Sequence, residues 1–471
     1  MKELDRNILK LALPSILANI TIPIVGMVDI AIAGHLDTLN GEAAVMIGGI
    51  TIGSMIFDLL YWTFGFLRAG TGGITAQAYG RKDFKTAADT LSRSLGIAGG
   101  ASILLIAIQW IVVQLVFLVV KCSPETQELA TIYFQTRIWA APATLSLMAL
   151  KGWFIGMQDT VSSMLTDVTV VFTNVAASLI LAFGFGPIGA MGFVGVPLGT
   201  VIAQYTGLLV AGIIIYARYL PKVFSGYRFK DAFQAFYNPG TKLFFKTNGD
   251  LFIRSLCFTG IYMGFTTLSA RYGDMALASS AIIMKLMLFF SYFTDGFAYA
   301  GEALTGKYFG EEKPRMIRRT IRATFIWSMS IALIFVVLNG VFNEPMFKMM
   351  TSDLTIVDFS KHFVIWLLLV PIFGCPAFVW DGIYVGATYS KALRNSALLS
   401  VAAFYLVWFG FGSAYDVIAE TGPVHDIAAL HILLLAYTIH LAVRTAWQTK
   451  IYFRKEGTFK ILSGKSEISQ K

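Results

Sequence analysis

Twelve long apolar runs set what this chain can become. They lie near residues 9–35, 44–69, 90–119, 127–150, 160–184, 190–217, 240–268, 275–300, 319–341, 357–383, 393–412 and 425–448. A helix needs about 20 residues to cross the hydrocarbon core of a bilayer, and every run is sufficient. Composition agrees, since 56% of the 471 residues are hydrophobic, 14% are charged and the mean hydropathy is +0.67. A soluble domain carries roughly 25% charge, so a chain this poor in charge could not cover a water-facing surface. The expected fold class is an all-α integral membrane protein of twelve transmembrane helices.

The net charge of +9 could suggest a nucleic-acid partner. The basic residues, however, sit between the apolar runs, which is a topology pattern and not a binding stripe, so no nucleic acid is expected. One set of loops holds Lys2, Arg6, Lys10; Arg81, Lys82, Lys85; Lys151; Arg218, Lys222, Arg228, Lys230; Lys313, Arg315, Arg318, Arg319; Lys391, Arg394; and Lys450, Arg454, Lys455. The alternate set offers only Lys121, Arg271, Lys348 and Lys361. The basic set is expected on the cytoplasmic side of a plasma or inner membrane, which puts both termini inside. An odd number of spans does not reproduce the alternation. Cys122, Cys257 and Cys375 are too far apart to suggest a disulfide framework or a metal site, and the five His are scattered. The first run contains Pro14, Asn19, Pro23 and Asp29, too polar and too long for a cleavable signal.

The chain also contains itself twice. Lys151-Gly152-Trp153-Phe154-Ile155-Gly156 recurs as Asp381-Gly382-Ile383-Tyr384-Val385-Gly386, a shift of 230 residues. Gly65-Phe66 with Gly70 and Gly80 recurs as Gly296-Phe297 with Gly301 and Gly310, shifted by 231 until one residue is lost before Gly310. The shift spans six runs, an even number, so both halves enter the membrane from the same side. They are expected to form two pseudo-symmetric six-helix lobes about an axis along the membrane normal. The division expected is an N-terminal lobe at 1–218, a cytoplasmic linker at 219–240, a C-terminal lobe at 241–450 and a cytoplasmic tail at 451–471. Such a duplication is the signature of a transporter, with a substrate cleft between the lobes.

At LALPSILANI…VDIAIAGHL in the first span, FGFLRAGTGGITAQAYG after the second, KGWFIGMQDT after the fourth and TDGFAYAGEALTGKYFG after the eighth, the sequence resembles the multidrug and toxic compound extrusion (MATE) transporters, most of all their DinF-like branch. The resemblance runs from about Ile8 to Tyr452. It implies a V-shaped MATE-like bundle of two lobes and ion-coupled export by alternating access, with H⁺ or Na⁺ moving inward as substrate leaves.

A charge inside the bilayer costs at least ~2.5–3.5 kcal/mol on insertion scales, so each is a functional candidate. Asp29 has small neighbours, Gly26 and Ala33, at i−3 and i+4, and Pro23 permits a bend just before it. A carboxylate there suits taking a proton or holding Na⁺. The resemblance implies the same role for Asp29, with Asn174 in its network. Ser163, Asp167, Asn174 and Ser178 form one polar stripe on the fifth span. Ser178 stands where some family members carry an aspartate, so the ion-coupling set expected is Asp29, Asn174 and Ser178. Asp167 is either part of that chemistry or a conformational latch.

Asp250 and Arg254, at i and i+4, are expected to pair on their own helix. Lys285 has no acid one turn away and needs a partner on another helix or an anionic ligand. Asp250 is a candidate partner, and Tyr292 shares its face. Lys151 and Asp381 occupy the same repeat position with opposite sign, so a salt bridge between them could hold the inner side shut. Phosphate-loop, HExxH and GxSxG motifs are absent, which argues against ATP drive and against an enzyme. No cofactor or metal is expected beyond the coupling ion. The reading is a monomeric exporter of small amphipathic organic compounds, embedded in the lipid bilayer. The alternative is a lipid-linked precursor flippase, which would need Arg137, Arg254 and Lys285 to line a basic cleft.

Overall fold

The computed structural model describes residues 2–36, 42–120, 122–187, 189–351, 353–412 and 423–454. Lys121, Lys455 and the tail beyond residue 454 lie outside the described residues. Sixteen α-helices are named here: α1 (Lys2–His35), α2 (Glu42–Thr63), α3 (Phe66–Arg81), α4 (Phe84–Val119), α5 (Pro124–Arg137), α6 (Ala141–Gly156), α7 (Thr160–Phe183), α8 (Gly195–Ile214), α9 (Phe229–Gln234), α10 (Gly240–Ser269), α11 (Gly273–Gly310), α12 (Pro314–Met350), α13 (Leu354–Lys361), α14 (Val364–Gly386), α15 (Ser390–Val407) and α16 (Pro423–Phe453).

Among the described residues, 11 helical stretches are long and apolar enough to cross a membrane. One of them, Gly240–Gly310, runs for 71 residues. It breaks at a 3₁₀ turn, Ala270–Tyr272, after which Gly273 adopts φ +87°, a conformation open to glycine at no steric cost. That stretch therefore holds two spans, and the protein has twelve transmembrane helices in two six-helix lobes. Each apolar run of the sequence coincides with one of them. Several spans are compound: α2 and α3 meet at a turn over 64–65, and α5 and α6 meet through a 3₁₀ turn at Ile138–Ala140.

Contacts divide the chain into two compact units. One is Leu17–Lys242; the other is the chain from Leu243 together with the helical turns up to Ile16. The first unit is packed around Leu150, Trp153, Phe154 and Ile214, with the Trp153 indole donating to the Ala87 carbonyl at 2.9 Å. The second is packed around Phe265, Met287, Leu367, Phe404, Trp408 and Leu433.

The duplication is visible as repeated backbone contact. In the first unit a methyl group added at Gly152 would lie 2.1 Å from the Arg68 carbonyl oxygen, and one at Gly156 would lie 2.7 Å from that of Gly72. In the second, Gly382 would meet the Ala298 oxygen at 2.1 Å and Gly386 the Glu302 oxygen at 2.3 Å. The same glycine pair thus seats α6 on α3 and α14 on α11, backbone against backbone. These contacts are related by 230 residues from Arg68 and Ala298 onward, so the change of register lies before Arg68, and the sequence pairing of Gly70 with Gly301 is corrected to Gly70 with Ala300. The turn at 64–65, which the continuous α11 lacks, is the neighbouring irregularity.

Four helix ends repeat in the same way. Lys82, Gln158, Glu312 and Thr388 have φ of 58, 63, 54 and 52°. After each, the next amide reaches back to close the turn at 2.9 Å: Asp83 to the Ala78 oxygen, Asp159 to Phe154, Lys313 to Tyr308 and Tyr389 to Tyr384. This is the Schellman closure, here made without glycine.

The segment after α8 is docked on the first unit. The Arg93 guanidinium donates to the Ala235 oxygen at 2.8 Å, while Tyr227 and Asn238 donate to the two Asp89 carboxylate oxygens at 2.8 and 3.0 Å. Burial, with Asp89 beside it, pushes the Tyr227 hydroxyl up to about 12, so it keeps its proton and donates. The Phe236 ring fills the space beside Gly96, where an added methyl would come within 2.5 Å of it.

Candidate functional site

Asp29 lies on α1 and is 1% exposed. What reaches it is set by glycines on α2. A methyl at Gly49 would lie 2.8 Å from Leu129, and one at Gly53 would lie 2.4 Å from the Tyr133 ring. Without those methyls α5 lies tight against α2, and the Tyr133 hydroxyl donates to Asp29 Oδ2 at 3.3 Å. Arg137, one turn further along α5, donates to the same hydroxyl at 2.6 Å and to Ser54 Oγ at 3.4 Å. Ser54 and Tyr133 share a further hydrogen bond of 3.1 Å. The Arg137 guanidinium also lies over the Phe57 ring, 4.9 Å from its centroid. The result is a relay from carboxylate through phenol to guanidinium, in which a buried acid has a cation two hydrogen bonds away.

Asn174 on α7 is the other polar neighbour of the Asp29 carboxylate. Its Nδ2 donates to Thr200 Oγ1 on α8 at 2.9 Å. Asp29 Oδ1 and Asn174 Oδ1 have no hydrogen-bond partner among the described residues. A buried oxygen of this kind can accept a proton or a small cation. Beside Gly26 there is open space, with nothing within 4 Å of an added methyl.

Ser178 is placed elsewhere. Its hydroxyl donates to the Val196 oxygen at 3.2 Å, and the serine packs on Gly199. It serves the α7–α8 contact, because at that level the two backbones are too close to leave its hydroxyl another direction. Asp167, from the same stripe, pairs with Lys151 of α6 at 2.7 Å.

The charged pairs expected from sequence separation are corrected. Asp250 does not pair with Arg254 of its own helix; it accepts from Arg394 at 2.7 Å and from Ser390 at 2.8 Å, both on α15. Arg254 reaches across to Asp381 on α14. Asp381 is also bound by Arg444, and the Gln448 amide donates to its Oδ1 at 2.7 Å. A buried carboxylate needs all its lone pairs satisfied, and two forked guanidiniums supply that where one lysine could not. Lys151 and Asp381 are each engaged within their own unit. Lys285 is exposed on α11, and no hydrogen bond or ion pair holds it among the described residues; its expected partner Asp250 is occupied by Arg394. Tyr292 is half-buried.

Tyr133 is the functional candidate that sequence reading missed. Its signal was the i, i+4 spacing of Tyr133 and Arg137, which puts a phenol and an intramembrane cation on one helix face. Among the described residues no group of three or more His, Cys, Asp or Glu could hold a metal ion.

Twelve spans in two repeated units, with an acid sealed inside one of them, define a polytopic membrane transporter. Comparison with known proteins gives the family: a family model described as MatE matches residues 14–180 and 251–408, once in each half. The chain belongs to the MatE family, in its DinF-like branch, and is not an enzyme. It is 31% identical over 445 residues to the DNA damage-inducible protein F of Escherichia coli (strain K12), covering 93% of this chain and 90% of that protein. It is 25% identical to the multidrug export protein MepA of Staphylococcus aureus, covering 91% and 92%. The crystal structure of the eukaryotic MATE transporter AtDTX14 shares the fold, with a TM-score of 0.79 at 13% identity and 98% of each chain covered.

Proposed function

We propose that this chain is a secondary active exporter that couples efflux of small amphipathic organic compounds or toxic metabolites to inward movement of H⁺ or Na⁺ at Asp29. The observation that carries the reading is the Asp29–Tyr133–Arg137 relay. With Asp29 charged, the relay is balanced. Loading Asp29 with a proton or Na⁺ removes the charge that Arg137 answers, so the α1–α5 contact has two electrostatic states. Exchange requires that ion and substrate prefer different states of the same site, and Pro23 gives α1 a place to bend between them. The names of the relatives, among them a multidrug export protein, support the substrate class. The lobes of this exchange are 1–218 and 241–450, working as a monomer in the plasma or inner membrane with both termini cytoplasmic.

The test is flux in proteoliposomes under imposed pH or Na⁺ gradients, across a panel of amphipathic substrates. Asp29→Asn is expected to reduce gradient-driven efflux to the level of empty liposomes, and full transport by that variant would sink the mechanism. The flippase alternative loses ground because Arg137 and Arg254, two cations that a pyrophosphate would need, already answer acids of their own units.

A further inference from the structure

The linker after α8 is held firmly, yet it leaves an aromatic face uncovered. Phe229, Phe233 and Tyr237 are 83, 64 and 86% exposed. The first two rings lie 5.8 Å apart, one turn from each other on α9. Exposed Lys222, Arg228 and Lys230 flank them. The acid in their midst, Asp231, is turned inward on the backbone, accepting from the Arg228 amide at 2.7 Å. The exposure is not that of a loose tether, because Ala235, Phe236, Tyr227 and Asn238 are fixed to α4 as described above.

This segment joins the end of one membrane span to the start of the next, so it lies at a bilayer surface. In water the three aromatic rings would be solvated; in hydrocarbon the cations would be stripped of their hydration. The headgroup layer suits both, since aromatic rings partition there and cations meet lipid phosphates. Three cations without an answering acid on that face favour negative headgroups over zwitterionic ones.

We propose that residues 222–237 form a membrane-surface anchor that binds anionic phospholipid, with Phe229, Phe233 and Tyr237 inserted at headgroup depth and Lys222, Arg228 and Lys230 on the phosphates. The inference rests on the chain spanning a membrane and not on the transport reading.

A bimane fluorophore on Gln234→Cys would test it, in full-length protein whose Cys122, Cys257 and Cys375 are replaced by serine and whose gel-filtration profile matches the parent. Brominated phosphatidylglycerol is expected to quench several-fold more than brominated phosphatidylcholine at equal mole fraction. The triple variant Lys222→Gln, Arg228→Gln, Lys230→Gln should lose that preference while still being quenched by both lipids. Phe229→Ser with Phe233→Ser should lose quenching by either. Should the triple variant fail to fold, 0.5 M salt on the labelled parent should likewise erase the preference. Equal quenching by the two lipids in the parent would overturn the proposal. So would quenching by aqueous iodide alone, which means a solvated face. High-yield disulfide crosslinking between two unlabelled Gln234→Cys copies would also overturn it, since a second copy would then cover the face.

Discussion

At the scale of residues, two buried acids sit in opposite circumstances. Asp29 has one cation, reached through a phenol, and one oxygen with no hydrogen bond. Asp381 has two guanidiniums and an amide. On the proposed mechanism the first changes state, while the second is held by its three donors. Asp381→Asn is expected to cost about 3–5 kcal/mol, because it strands Arg254 and Arg444 together; thermal unfolding of the purified protein would read it. Arg137→Gln should cost about 1–3 kcal/mol by leaving Asp29 under-satisfied. Adding Asp29→Asn to that variant should recover most of the loss, and a double-mutant cycle without coupling would remove Arg137 from the relay. Asp29 and Asn174 were legible in the sequence because polar groups in apolar runs stand out. Tyr133 was not, since a tyrosine in a span is ordinary until the bare α2 surface at Gly53 brings its hydroxyl onto a carboxylate. Arg254 misled for a related reason: its acid lies 127 residues away, and helical spacing offered a nearer one.

Among elements, the decisive contacts are glycine against backbone. Gly152→Ala and Gly382→Ala should each force their helices apart and destabilise by about 1–3 kcal/mol. Gly260→Ala, in α10 with nothing within 4 Å of the added methyl, should instead be neutral or stabilise by up to about 1 kcal/mol, because alanine is the better helix former. Melting temperatures of the three variants side by side would check this; equal losses at all three would refute the argument. Spans were legible because their length and apolarity follow from the bilayer. Their interruptions were less so. The turn at 64–65 sits within an apolar stretch of no distinctive composition, and α12 departs from helical geometry at Phe342 (φ −111°, ψ 22°), three residues before Pro345. The break at Phe342 has a local cause, since Pro345 lacks an amide hydrogen and its ring crowds the preceding turn, whereas the turn at 64–65 answers to tertiary packing.

At the scale of the whole molecule, the charge alternation makes a prediction that the fold leaves to experiment. Cysteines at Ser225 and Glu311 should react with an impermeant maleimide only after cells are opened, whereas cysteines at Glu125 and Asp353 should react in intact cells. The reverse pattern would invert the topology and, with it, the direction of transport. The duplication was legible because both copies need the same glycines where helices touch. The ion pairs were not, because a duplicated backbone does not oblige its two copies to keep the same side chains: Lys151 answers Asp167, while Asp381 at the matching position answers two arginines.

The four left-handed turns carry that point further. A residue other than glycine in this conformation costs roughly 1–2 kcal/mol, yet Lys82, Gln158, Glu312 and Thr388 hold it at matching places with four different side chains. What is kept is the path of the chain, whatever the residue. The left-handed residues Lys82 and Glu312 are therefore interchangeable, whereas the residues after them are not: Asp83 caps α4, its Oδ1 accepting from the Thr86 amide at 3.0 Å, and Lys313 makes no such cap. A chimera that trades Lys82 and Glu312 would carry the surface charge of one half into the other while leaving the helices where they are.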